Sequence, residues 1–277
     1  MKYTVLTLFP EITDAFFATS IMAKAIQRGI IEYRAINIRD FALDRHKTCD
    51  DAPYGGGPGM LMLPEPLGRA LEAAGAGALR GCPPLRGEAE DRRAGAGGES
   101  HPLGGPSPRI IYLSPSGRLF NQELAQELAR ERELILLCGR YEGIDQRVID
   151  RYIDDEISVG DYVLSSGEVA ALALIDATYR LVDRVVTPES LEEESFSNGL
   201  LEYPQYTRPE IYDTMKVPDV LLSGHHENIR RWRLEKRVEK TLQCRPDLIR
   251  RGRELGLFND EINRLIGDRE HERDQGD

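Results

Sequence analysis

The chain has 277 residues, 40% of them apolar and 30% charged, enough to pack a core and too apolar for disorder throughout. At roughly 150 residues per domain the length suggests two domains, and no stretch approaches the ~18 apolar residues of a membrane-spanning helix. The formal charge is −11, from 36 Lys and Arg against 47 Asp and Glu. As a single number, that argues against a protein that coats nucleic acid through bulk positive charge.

The N-terminal MKYTVLTLFPEITD stops its apolar run at Pro10 and follows it with Glu11 and Asp14, so it does not read as a signal peptide. Cys49, Cys82, Cys138 and Cys244 are far apart and form no CxxC pair. They read as free thiols in a reducing cytoplasm rather than a disulfide framework or a zinc site.

In chain order, Lys2–Phe9 is apolar and β-branched and reads as a strand. Glu11–Arg28 has helical spacing, with Ile12, Phe16, Ile21, Met22, Ala25 and Ile26 on one broad face, and Gly29 ends it. Ile30–Ile38 reads as a second strand. A Pro- and Gly-rich loop follows, and then a helix over Pro64–Ala74. Gly75–Pro108 holds nine glycines, five prolines and no Ile, Val, Phe or Tyr, and reads as a flexible insertion outside the fold. Beyond it, RIIYL (Arg109–Leu113) and LILLC (Leu134–Cys138) read as buried strands, and Glu156–Val159 as a short one. Helices are expected over Asn121–Arg130, Arg147–Tyr152 and Glu168–Val182. Strand and helix thus alternate through residue 182, and the continuous apolar runs suit a mostly parallel sheet covered on both faces. Asp183–Pro209 has weak periodicity and reads as a linker. Glu210–Asp277 is helical in character, with helices over His225–Leu242, Pro246–Leu255 and Asn259–Ile266.

The charge is unevenly spread. Ile229–Arg253 holds ten basic and three acidic residues, a local surplus of +7 that leaves −18 for the remaining 252 residues. The stretch is either a solvated helix face with i,i+4 ion pairs or a phosphate-binding surface.

PYGGGPGM (Pro53–Met60) lacks the Lys-Ser/Thr pair of a P-loop, and the first strand is followed by no glycine fingerprint, so a conventional dinucleotide site is disfavoured. Three glycine-bearing loops follow strands: LSPSG (Leu113–Gly117), CGRYEGID (Cys138–Asp145) and SVGDYVLSSGE (Ser158–Glu168). In parallel α/β folds ligands bind at the carboxyl ends of strands. Three such loops could converge on one small molecule, with a carboxylate at Glu142.

LFPEI, DDAPYGGGPGM, LSPSGR, LCGRYEGIDQR, GDYVLSSGE, GLLEYPQYTRPE and VLLSGHHENIRRWR occur here in one order over nearly the whole chain. In this the sequence resembles the TrmD family of bacterial tRNA (guanine-N1)-methyltransferases, of the SPOUT superfamily. The resemblance implies a SPOUT-type α/β domain over 1–182 whose cofactor loops form a trefoil knot. It further implies a linker over 183–209, an all-helical tRNA-binding domain over 210–277, and a cytoplasmic homodimer. Nothing in the local pattern shows a knot, and general topology rules argue against one.

The resemblance also implies methylation of guanine N1 at tRNA position 37 from S-adenosylmethionine, with Mg2+ as an accessory that would have no dedicated protein cage. Carried over residue by residue, the cofactor pocket is Tyr112, Leu113 and Pro115, then Gly139, Tyr141, Glu142 and Gly143. Val159, Gly160, Asp161, Tyr162, Val163, Leu164 and Gly167 complete it. These are the three loops already singled out. The family's general base is an Asp in a D-S-F triplet; here the triplet is Glu194–Ser195–Phe196, one methylene longer. The family's catalytic arginine maps to Arg180, with one residue fewer than usual before Glu194. RNA contacts fall to Asp50, Gly59, Ser195, Arg230 and Arg231.

Alternatives accompany several of these residues. Glu192–Glu194 can be a solvated acidic run, Arg180 a helix-end charge, and Asp50 an Asx-turn residue rather than a reader of a guanine edge. Ser166 replaces a common family glycine. Its side chain could crowd the cofactor if φ were positive, or its hydroxyl could bond to the cofactor or to a helix N-terminus. His46 reads as structural or a minor RNA contact, and His225–His226 as caps or phosphate contacts. Trp232, the single Trp, reads as core of the C-terminal domain rather than as a base-stacking platform.

Overall fold

The computed structural model describes residues 1–76, 107–187, 194–196 and 198–274. Of the expected insertion, residues 77–106 lie outside the described residues, as do Cys82, Glu192 and Glu193. The chain divides into two compact units, Met1–Val186 and Thr187–Asp277.

The first unit is built on a five-stranded sheet of β1 (Lys2–Thr7), β2 (Glu32–Asn37), β5 (Arg109–Leu119), β6 (Glu133–Leu137) and β7 (Asp155–Ser158). The spatial order is β2-β1-β6-β5-β7, and every neighbouring pair is parallel. Two tiny strands, β3 (Asp50–Asp51) and β4 (Leu61–Met62), pair antiparallel apart from it.

The apolar runs are continuous because both faces are covered. Tyr3 and Val5, Ile111 and Leu113, and Leu134 and Leu136 enter one buried cluster with Phe17, Met22, Leu128 and Leu174. Their sequence neighbours Leu6, Ile110 and Tyr112, and Ile135 and Leu137 enter the other, with Leu67, Leu71, Val148 and Tyr152. The period-2 alternation of strand side chains thus makes a three-layer sandwich. On one side lie α1 (Pro10–Phe17), α2 (Ser20–Gln27), α4 (Gln122–Leu128) and α6 (Gly167–Tyr179). On the other lie α3 (Pro64–Ala74) and α5 (Gln146–Tyr152).

Two local expectations are corrected. Glu11–Arg28 is two helices, not one: Ser20 has φ +54, and the Thr19 hydroxyl donates back to the Ala15 carbonyl at 2.7 Å. A side chain that satisfies the backbone locally competes with continuing the helix. The RIIYL strand also does not end at Leu113. Leu113 and Arg118 both pair with Ile157, so Ser114–Gly117 is a bulge looped out of β5. Side-chain caps start α4 and α5: Asn121 accepts from Leu124 N–H at 2.9 Å and Asp145 from Arg147 N–H at 2.9 Å.

The second unit is helical, with one addition, a hairpin of β8 (Ile211–Tyr212) and β9 (Met215–Lys216). Its helices are α7 (Asp219–Leu222), α8 (His226–Cys244), α9 (Pro246–Glu254) and α10 (Asp260–Asp274). Their core is Leu200, Val238, Leu242, Ile249, Phe258, Ile262 and Ile266. Arg237 is buried and donates to Asn198 Oδ1 and to the Leu201 carbonyl, and Thr241 Oγ1 accepts from Leu201 N–H at 2.9 Å. The segment before the hairpin is thereby tied to α8.

Arg109, at the start of β5, is 8% exposed and meets Asp155 at 2.6 Å, Glu127 at 2.9 Å and Glu131 at 3.4 Å. Burial alone would depress its pKa, and the Asp155 and Glu127 contacts raise it instead. Arg109→Met leaves three carboxylates facing one another without their shared cation. Urea denaturation is expected to show a loss of about 3 kcal/mol, and a loss below about 1 kcal/mol would mean that solvent already screens the cluster.

Candidate functional site

The sheet order places the C-terminal ends of β6, β5 and β7 side by side, and the three expected loops leave from there. What lets them meet is bare backbone. Gly167 N–H donates to the Gly139 carbonyl at 2.9 Å, and Arg140 pairs antiparallel with Ser166. A Cβ on Gly167 would fall 2.8 Å from Cys138 Cα and from Gly139 N, so no other residue allows this approach. A Cβ on Gly117 would fall 2.4 Å from the backbone of Glu156 and Ile157, which fixes the foot of the β5 bulge.

Tyr112 forms the floor. It is buried, and a Cβ on Gly139 would lie 2.8 Å from its ring. Burial, with Glu156 nearby, pushes its phenol up to about 12, so it stays neutral. Leu113 is buried beside it and Pro115 is exposed on the bulge. In the second loop Tyr141 has φ +59 and Gly143 φ +135, a left-handed turn closed by Gly143 N–H to the Arg140 carbonyl at 3.1 Å. In the third, the Ser158 hydroxyl exchanges hydrogen bonds with the backbone of Gly160. Asp161, Tyr162, Val163 and Leu164 are exposed on its rim, and Val159 is half-buried against the core.

A fourth segment joins them. Met62 N–H donates to the Gly143 carbonyl at 3.0 Å, and Glu142 N–H to the Met60 carbonyl at 3.1 Å. Tyr141 donates its hydroxyl to Asp50 Oδ1 at 3.1 Å. Glu142 packs on Gly59 so closely that a Cβ there would meet its Cγ at 2.3 Å. The structure therefore brings Asp50 and Gly59 to the second loop. Asp50 makes no Asx turn; its Oδ1 accepts from Tyr141, while Asp51 accepts from the adjacent Ala52 N–H at 2.7 Å.

Other expectations resolve plainly. Ser166 has φ −165, extended backbone without strain, and its side chain makes no cap bond. His225 does not cap α8. Arg180 is the C-cap residue of α6. In the second unit, Glu194 is half-buried, and Ser195 Oγ accepts from Glu202 N–H at 3.0 Å. Phe196 N–H donates to the Leu200 carbonyl at 2.9 Å, so the triplet folds back on the segment after it. The described cysteines, Cys49, Cys138 and Cys244, are free thiols, and burial together with Glu168 drives the Cys138 thiol up.

The basic stretch is more neutralised than its composition suggests. Arg230 sits between Glu227 at 2.8 Å and Glu261 at 3.0 Å, Arg231 pairs with Glu235 at 3.0 Å, and Arg253 pairs with Glu270 at 2.9 Å. Three of those carboxylates, Glu227, Glu261 and Glu270, lie outside the 229–253 window. The window's +7 overstated the local field for that reason.

Glu168 is a further buried group beside the loops. It is 1% exposed in the first turn of α6, accepts the Thr7 hydroxyl at 2.5 Å, and leaves Oε2 without a hydrogen-bond partner. A lone carboxylate at the start of an Ala- and Leu-rich helix is the signal that could have found it. Among the described residues, no group of three or more His, Cys, Asp or Glu side chains is placed to hold a metal ion, and no helix is long and apolar enough to cross a membrane.

The fold and loop cluster define a class: a parallel α/β protein with backbone-joined loops over the strand ends, the place where such folds take small ligands. Comparison narrows the class. The family model for tRNA (guanine-1)-methyltransferase TrmD matches residues 1–80 and 97–251. A protein of Treponema denticola called tRNA (guanine-N(1)-)-methyltransferase is 56% identical over 272 residues, 98% of this chain and 100% of its own. Relatives of the same name in Treponema pallidum and Borrelia duttonii are 52% and 53% identical, over 98% and 90% of this chain and 97% and 92% of theirs. The chain belongs to the TrmD family.

Gly167→Ala forces the second and third loops apart. Calorimetry is expected to show lost S-adenosylmethionine binding, whereas exposed Gly267→Ala in α10, with open space around it, is expected to raise stability by about 0.5–1 kcal/mol. Normal binding by the Gly167 variant would mean that the loops need not touch.

Proposed function

We propose that this chain transfers a methyl group from S-adenosylmethionine to N1 of guanine at position 37 of tRNA, as a homodimer. The observation that carries the reading is membership of the TrmD family over nearly the whole chain, with relatives named tRNA (guanine-N(1)-)-methyltransferase. The junction of the second and third loops beside Tyr112 supports it.

The residues fit the methyl donor. Glycines 139, 143 and 167 keep side chains out of the second loop and the start of α6, so a ligand there would meet backbone, and Tyr112 lies beneath Gly139. Tyr112, Leu113, Pro115, Gly139, Tyr141, Glu142, Gly143, Gly167 and the 159–164 turn would hold it. When bound, S-adenosylmethionine supplies an electrophilic methyl group on a sulfonium, with a neutral thioether as leaving group. Guanine N1 carries a proton and is a poor nucleophile until that proton leaves. Glu194 is assigned to take it, a general-base role usually worth about 10²–10⁴ in rate. Arg180 is assigned to offset the negative charge that develops on guanine O6. Asp50, Gly59 and Ser195 are assigned to the RNA near the target base, and Arg230 and Arg231 to its backbone. Mg2+ is proposed only as an accessory without a dedicated protein cage.

A tRNA transcript with guanine at position 37 is expected to be methylated, and its position-37 variants not. Glu194→Gln should lower kcat by about 10²–10⁴ with donor affinity unchanged. Absence of methylation by the parent, or equal rates for parent and variant, would overturn the reading. RNA binding without turnover would mark a chain that has lost catalysis.

A further inference from the structure

Trp232 is expected in the core of the second unit and is not there. The buried cluster of that unit is aliphatic apart from Phe258. Trp232 is half-buried on α8, and its ring lies 6.4 Å from Tyr206 at a 53° tilt. Tyr206 is 49% exposed. The next residue on α8, Arg233, lays its guanidinium over the Tyr203 ring, 4.7 Å from the centroid. Two contacts, Tyr206 with Trp232 and Tyr203 with Arg233, therefore join consecutive residues of α8 to the 203–206 segment, outside the core and directly after Arg230 and Arg231 in the chain.

We infer that this cluster is a stacking site for an unpaired nucleobase of the RNA substrate; the inference rests on the functional reading above. Large rings outside a core expose apolar surface that water disfavours, unless something planar covers them. Ring faces and guanidinium planes both accept a base, and neither discriminates strongly between bases. The ion pairs sharpen the choice of occupant. Arg230 and Arg231 are held by Glu227, Glu261 and Glu235, so their capacity to neutralise phosphate is partly spent within the helix layer. A contact of this face with RNA must then gain much of its affinity from stacking. An aliphatic peptide helix would find few aliphatic partners among Tyr203, Tyr206, Trp232 and Arg233.

Stacking and phosphate contacts have different salt signatures. Each neutralised phosphate steepens the fall of affinity with salt, and a stacked base does not. Trp232 is the only tryptophan of the chain, so its emission reports on this site alone. Titration of the full-length protein with tRNA transcript is expected to quench that emission saturably. Tyr206→Leu and Trp232→Leu should each raise the KM for tRNA roughly 5- to 100-fold. The affinity for S-adenosylmethionine and the salt slope should be unchanged, and Tyr206→Phe, which keeps the ring, should restore tRNA affinity. Should Trp232→Leu fail to fold, Tyr206→Leu at the exposed ring keeps the test open. Unquenched emission together with parental tRNA affinity in Tyr206→Leu would overturn the inference. So would a flattened salt slope, or a change of oligomeric state in Trp232→Leu, which would assign the rings to a second copy of the chain. Failure of the parent protein to methylate any tRNA would instead overturn the functional reading.

Discussion

The loop cluster depends on one close approach, the hydrogen bond from Gly167 N–H to the Gly139 carbonyl. Neither loop has a side chain at the contact, and none would fit. That single bond sets the start of α6 against the end of β6, and other contacts follow from it. Ser166 pairs with Arg140, and Glu168 is carried beneath the junction to the Thr7 hydroxyl at the end of β1. The start of α6 is thereby tied to the ends of two neighbouring strands, β6 and β1. An unpartnered carboxylate oxygen at such a point is costly in a low-dielectric interior. The group's other oxygen is held by the Thr7 hydroxyl.

Charge is the second lesson, and it is local. The chain sum of −11 argued against nucleic acid, and the +7 of one segment argued for it. Neither number describes what a phosphate would meet. Glu227 and Glu261 close on Arg230, and Arg237 is withdrawn altogether to hold Asn198 and Leu201. Exposed pairs of this kind contribute little to stability, yet they lower the field that a backbone phosphate feels. What remains at this face is a mixed surface of paired cations and aromatic rings.

Most of the first unit was legible because a sheet buried on both faces imposes a simple pattern. RIIYL and LILLC read as buried strands and are central ones, and Pro64–Ala74 begins on a proline and is followed by Gly75. The loops were legible as glycine-bearing segments after strands. The break at Ser20 was not, since a helical apolar stripe continues across it and only the backbone shows the left-handed residue. Nor was the bulge at Ser114–Gly117, because β5 and β7 resume pairing beyond it in a register that only the partner strand defines.

The sequence by itself determined the element types, the order of the motifs and the family, since these rest on residue identity and short spacing. Tertiary structure alone decided which loops touch, that Asp50 faces Tyr141, that Ser166 is unstrained, and that Trp232 stays outside its expected core. Each of those depends on pairing between residues distant in sequence, where the deciding terms are steric fit and local charge.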